Sequence, residues 1–126
     1  MPKMAEVGAA LGASREEVRG AYEELQQSHA FIVDPEADEL WRAAPFSAVP
    51  TAFPVRVGAV GYFGNCIWDA LGISAAMHKD AVLPASCGCC DQPITLTVSG
   101  GKLEPEQGII HFAVPPKQWY NDVAFT

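Results

Sequence analysis

Asn65-Cys66-Ile67-Trp68-Asp69-Ala70-Leu71-Gly72-Ile73-Ser74-Ala75-Ala76-Met77-His78 is the stretch on which the reading of this chain turns. It is rich in Ala, Leu, Ile, Trp and Met, which suits a buried helix, with Gly72 as the expected break. Before it, Val55-Arg56-Val57 and Val60-Gly61-Tyr62-Phe63 flank Gly58-Ala59 and predict a hairpin. After it, Ala81-Val82-Leu83, Ile94-Thr95-Leu96-Thr97-Val98 and Ile109-Ile110-His111-Phe112-Ala113-Val114 read as strands, with Ser99-Gly100-Gly101 as a turn. A helix set among strands in this way predicts an α+β fold, a small mixed β-sheet packed with helices.

Residues 1–44 read differently. Met4, Val7 and Leu11 lie at helical spacing, and Gly12 is a stop signal. Ser14 precedes Glu17 by three residues, a capping-box pattern. Val18, Ala21, Tyr22 and Leu25 then mark the buried face of a helix running to about Ser28. Ala30-Phe31-Ile32-Val33, the turn-like Asp34-Pro35-Glu36-Ala37-Asp38 and Glu39-Leu40-Trp41-Arg42 complete a β-hairpin. Two helices and a hairpin predict a winged-helix-like module over 1–44. Residues 45–126 form the second unit, entered through the proline-punctuated connector Pro45–Pro54, where irregular structure is expected.

The winged-helix shape raises DNA binding, and the charge argues against it. The chain has 126 residues with 8 basic and 15 acidic side chains, a formal net charge of -7. The second helix carries Arg15 and Arg19 but also Glu16, Glu17, Glu23 and Glu24, which phosphates would repel. A scaffold module without DNA binding is the favoured reading. No apolar run approaches the ~20 residues of a membrane helix, and Met1–Leu11 lacks the pattern of a secretory signal. The expected location is the cytoplasm, with neither nucleic acid nor membrane as a partner. There, four cysteines (Cys66, Cys87, Cys89 and Cys90) point to thiols or metal ligands rather than disulfides.

Asn65 is a good N-cap, which would set Cys66 in the first helical turn, where the helix dipole favours thiolate. Asp69 follows by three residues and shares that face. A thiolate and a carboxylate disfavour each other's charge, so the carboxylate is expected either to be held protonated or to share a proton with the sulfur. The result is a soft nucleophile and a proton donor within reach of one bound atom. On spacing alone, a small buried Cys and a solvated Asp remain the bland alternative.

Cys87-Gly88-Cys89-Cys90 lies in a loop between two strand-like segments. Its single C-x-x-C pair cannot close a tetrahedral zinc site without His78, His111, Cys89 or Cys66. Three thiols in four residues still suit a soft thiophilic metal. A redox role is disfavoured, since such a pair belongs at a helix start and Pro93 follows closely. No role is assigned to His29, His78 or His111, and Trp41, Trp68 and Trp119 read as core or anchor residues.

Phe63-Gly64-Asn65-Cys66-Ile67-Trp68-Asp69-Ala70-Leu71-Gly72-Ile73, with its C-x-x-D spacing, resembles the active-site helix of the organomercurial (alkylmercury) lyases. Pro45-Phe46-Ser47-Ala48-Val49-Pro50-Thr51 is similar to the connector before it, and Ser86-Cys87 through Pro93–Ser99 to the segment after it. The likeness runs from about Glu6 to Thr126. It implies protonolysis of carbon–mercury bonds in small organomercurials for detoxification, with no cofactor required and Hg(II) held as the bound product. Cys66 would bind mercury, and Asp69 would deliver the proton and then help hold the metal. Free thiols or a mercuric reductase would receive the ion.

The family's second mercury-binding cysteine lies beyond the region matching Trp119–Thr126, and the chain ends at Thr126. Either the chain is truncated there, or Cys89, Cys90 or Cys87 supplies the second thiolate, Cys87 itself matching a cysteine that is structural in the family. A missing segment would leave part of the sheet uncovered, a reason to form a homodimer. The rival reading is a non-catalytic thiol protein that sequesters Hg(II), Cu(I) or Zn(II) through Cys66 and the Cys87–Cys90 cluster. A winged-helix metal-responsive regulator ranks third.

Overall fold

A computed structural model describes residues 1–34, 36–37 and 39–121. Pro35 and Asp38 of the expected turn, and residues 122–126, lie outside the described residues. The fold is α+β. Helices α1 (Met4–Leu11) and α2 (Arg15–Gln27) precede strands β1 (Phe31–Val33), β2 (Leu40–Ala43), β3 (Phe46–Ser47), β4 (Pro54–Val57) and β5 (Val60–Gly64). Helix α3 (Ile67–Met77), β6 (Ala81–Ser86), β7 (Pro93–Ser99), β8 (Lys102–Glu104) and a short 3₁₀ turn (Pro116–Asn121) follow.

The strands form one eight-stranded sheet in the order β1-β2-β3-β5-β4-β6-β7-β8. A small mixed sheet is expected from the sequence. The sheet instead runs through both halves of the chain, and every strand pair described is antiparallel. The proline connector explains the continuity. Phe46 and Ser47, expected to be irregular, pair with β2 on one side and β5 on the other. Pro45 and Pro50 stand outside that two-residue strand, so neither removes a donor from the ladder.

Each half has its own core. Met4, Val18, Tyr22 and Leu40 are buried together in the N-terminal half. Gly12 closes α1 in the left-handed conformation. The Ser14–Glu17 capping box opens α2: the Glu17 N–H donates to Ser14 Oγ at 3.3 Å, and the Ser14 N–H donates to the Glu17 carboxylate at 2.8 Å. In the second half Val55 and Val57 of β4 and Ala81 and Leu83 of β6 alternate inward, as strand period requires. Ala70 and Ile73 of α3 lie on them, both fully buried.

Gly72 does not break α3; its Cα faces the Pro45 ring, which a Cβ would meet at 3.4 Å. Antiparallel β4 lies between β5 and β6, so β5 and β6 run in the same direction. Helix α3 is the return connection between them. The start of α3 and the end of β6 therefore lie at the same end of the sheet.

Residues 109–114, expected as a strand, are not one. Ile109 is 94% exposed. The segment docks through a ring instead: Phe112 meets Trp68 with centroids 6.5 Å apart and Trp119 with centroids 5.0 Å apart. The Trp119 Nε1–H donates to the Val114 carbonyl at 3.1 Å. Trp68, expected in the core or as an anchor, is 60% exposed on α3.

Candidate active site

The end of β5 is pressed against the start of α3. A Cβ on Gly64 would lie 2.5 Å from the Ala70 backbone nitrogen and 2.8 Å from its Cα, so only glycine permits this approach. The connector locks the same point. The Thr51 hydroxyl donates to the Gly64 carbonyl at 2.6 Å and accepts from the Phe53 N–H at 3.1 Å, while the Gly64 N–H donates to the Phe53 carbonyl at 3.0 Å. Asn65 and Cys66 are thus held in a short, fixed junction between strand and helix.

The junction places Cys66 one residue earlier than expected. Cys66, not Asn65, is the N-cap, with φ -143° and ψ -179°. Its carbonyl accepts from the Ala70 N–H at 2.9 Å, the first bond of the helix. Among the described residues, the buried Asn65 Oδ1 has no hydrogen-bond partner.

Cys66 is half-buried. Burial pushes its thiol above the ordinary range, and the charge of the neighbouring Asp69 carboxylate, together with its pull on the thiol proton, adds to this. The N–H groups of Asp69 and Trp68 act in the opposite sense and are outweighed. The expectation that the helix start would favour thiolate therefore does not hold for the resting site. The helix amides are present, but desolvation dominates. What stands is a Cys66 thiol, its pKa raised chiefly by burial, beside the Asp69 side chain at the start of α3.

The other cysteines sit elsewhere. Cys87, half-buried, and Cys89 and Cys90, both exposed, form the tight turn between β6 and β7, and all four cysteines are free. Among the described residues, no group of three or more His, Cys, Asp or Glu side chains converges to hold a metal ion. The structure thus brings Cys66 to Asp69 and does not gather Cys66, Asp69, Cys87, Cys89 and Cys90 into one ligand set. His78 closes α3 with φ 51°, and His111 is exposed.

Gly64 and Thr51 stand inside the runs that resemble the family, but the sequence assigns no individual role to them or to Phe112. The Gly-Asn-Cys run directly after a strand was the available signal for the first. Thr51 and Phe112 act through tertiary contacts that leave no local pattern.

The family model for the alkylmercury lyases (MerB) matches residues 46–126, which include the whole β5–α3 junction. The chain belongs to the alkylmercury lyase family. A search of curated proteins gives no match. Among solved structures, the fold is similar to that of the mercury-bound form of MerB2, with a TM-score of 0.67 and 23% identity. The match covers 82% of this chain and 51% of that one, so the chain spans about half the length of this relative. Among the described residues no helix is long and apolar enough to cross a membrane.

Proposed function

We propose that the chain carries the thiol–acid half of an organomercurial lyase site, in which Cys66 binds mercury and Asp69 passes a proton to carbon. The observation that carries this reading is the Cys66 thiol beside the Asp69 carboxylate at the start of α3, within the family-matched region.

The geometry supports a balanced sequence. An organomercurial arrives as R–Hg–SR′, the adduct of a small thiol. Mercury bonds to the Cys66 sulfur, and the thiol proton moves to the Asp69 carboxylate beside it. Sulfur donation weakens the carbon–mercury bond, and Asp69 returns the proton to the departing carbon. The sum is R–Hg–SR′ plus Cys66–SH giving R–H plus Cys66–S–Hg–SR′. The proton comes from Cys66 itself, so a resting thiol serves this chemistry better than a resting thiolate. Free thiol then takes the Hg(II), with no second protein cysteine required for the bond cleavage.

Incubation with phenylmercury and excess free thiol tests the reading. Benzene release is expected from the unaltered chain and not from Cys66→Ser. Undiminished release from Cys66→Ser would remove Cys66 from the mechanism.

A further inference from the structure

We propose that the β8 edge of the sheet is a self-association surface, on which a second copy of this chain adds its own β8 antiparallel about a twofold axis at Leu103. β8 is the last strand in the order of eight. It pairs with β7 through Thr97↔Glu104, Val98↔Leu103 and Ser99↔Lys102, and a two-residue turn, Gly100-Gly101 at φ 55° and 78°, closes the hairpin. In a hairpin of this kind the residues flanking the turn exchange both backbone bonds, and the next pair along exchanges none. Lys102 and Glu104 therefore bond inward to β7, whereas the Leu103 N–H and C=O point out of the sheet. Among the described residues no hydrogen bond reaches them.

The charges select the partner. Lys102 and Glu104 are exposed and flank the half-buried Leu103. A lysine on an edge ordinarily discourages pairing, and a copy laid alongside in parallel would set Lys102 against Lys102. Antiparallel pairing centred on Leu103 does the opposite. Lys102 of each copy then faces Glu104 of the other, so opposite charges stand directly across the strands twice. The run Lys102-Leu103-Glu104 is thus complementary to itself in this register, the property that an isologous contact needs. At the axis, the Leu103 N–H of each copy donates to the Leu103 carbonyl of the other.

Side-chain alternation adds an apolar contact. Leu103 lies opposite Val98, which packs against the core that α3 covers. Between α3 and the β7–β8 hairpin runs a groove of about 490 Å³, with Leu71, Ala75, Val98 and Leu103 as its apolar lining. Pairing brings Leu103 of the second copy alongside this lining, on the same face of the sheet. The pair Ala81↔Val98 sets the end of β7 beside the start of β6, where α3 has finished. The contact is therefore remote from Cys66 at the start of α3, and the inference is independent of the lyase reading.

Analytical ultracentrifugation of the chain across a concentration series, with amide hydrogen exchange followed at Leu103, tests the surface. A monomer–dimer equilibrium is expected, with protection of the Leu103 amide rising with the dimer fraction. Lys102→Glu and Glu104→Lys each set like charges across the axis twice, and each is expected to weaken the dimer at least about tenfold. Mixing the two variants is expected to restore a dimer, because the two altered edges carry opposite charges. Both side chains are exposed, so the variants keep the fold, which circular dichroism checks. A monomer at every concentration, which would leave the edge to a strand of another protein, overturns the proposal. So does a dimer whose Leu103 amide exchanges as fast as in the monomer, or one of undiminished strength in both variants.

Discussion

Gly64 and Ala70 touch so closely that a Cβ on Gly64 would stand 2.5 Å from the Ala70 nitrogen. That contact fixes the helix start carrying Cys66 and Asp69 against the end of β5. The opposing atoms are backbone and cannot rotate away. Gly64→Ala is expected to lose about 1–3 kcal/mol of stability, the usual cost of forcing extra volume into a packed site. Urea denaturation measures it. A midpoint equal to that of the unaltered chain would contradict the tight junction.

Thr51 anchors the same junction from the connector through its hydroxyl, which bonds Gly64 and Phe53. Thr51→Val keeps the shape and removes both bonds. A loss of about 1–3 kcal/mol is expected from leaving a partly buried carbonyl unpaired. Activity should fall with it, through misplacement of Cys66 rather than loss of a reacting group. Thr51→Ser should restore both readouts.

The cysteines should separate by pH. Burial holds the Cys66 thiol above the ordinary range, while the Cys89 and Cys90 amides hold Cys87 below it. Alkylation needs thiolate. With rising pH, iodoacetamide should therefore modify Cys87 before Cys66. Peptide mapping across a pH series reads the order, and earlier modification of Cys66 would contradict the assigned surroundings.

Folding stability should respond to Cys66 in the same sense. A raised folded pKa gives stability that is complete below the unfolded pKa and is lost as pH rises through the folded one. Cys66→Ala should therefore flatten the alkaline part of the stability curve relative to the unaltered chain. Denaturant midpoints at a series of alkaline pH values measure this.

Phe112 bridges Trp68 and Trp119 and so links residues 109–114 to α3. Phe112→Ala should release that segment, at a cost of about 0.5–1.5 kcal/mol per lost ring pair beyond burial. Red-shifted tryptophan emission and faster proteolysis within 105–121 are the expected signs.

Much of this arrangement is legible in the sequence. The Ser14–Glu17 box and the Gly12 stop are local signals, and the helices obey them. The Val57–Val60 and Ser99–Lys102 turns are equally local. The Ile109–Val114 run has strand-forming residues, yet strand propensity expresses a fit to neighbouring strands, and here the neighbour is the face of α3. Trp68 misleads for the same reason, since its cover comes from Phe112, distant in sequence. The pairing of Cys66 with Asp69 was visible as a three-residue spacing. The resting state of the sulfur was not, because it depends on burial that spacing does not report.

The most direct test of the Cys66–Asp69 partnership is a single-turnover reaction of Asp69→Asn with phenylmercury. The partnership predicts a phenylmercury adduct that accumulates on Cys66 while benzene release slows by about 10²–10⁴-fold, the usual contribution of a positioned acid. Benzene released from Asp69→Asn as fast as from the unaltered chain would contradict it.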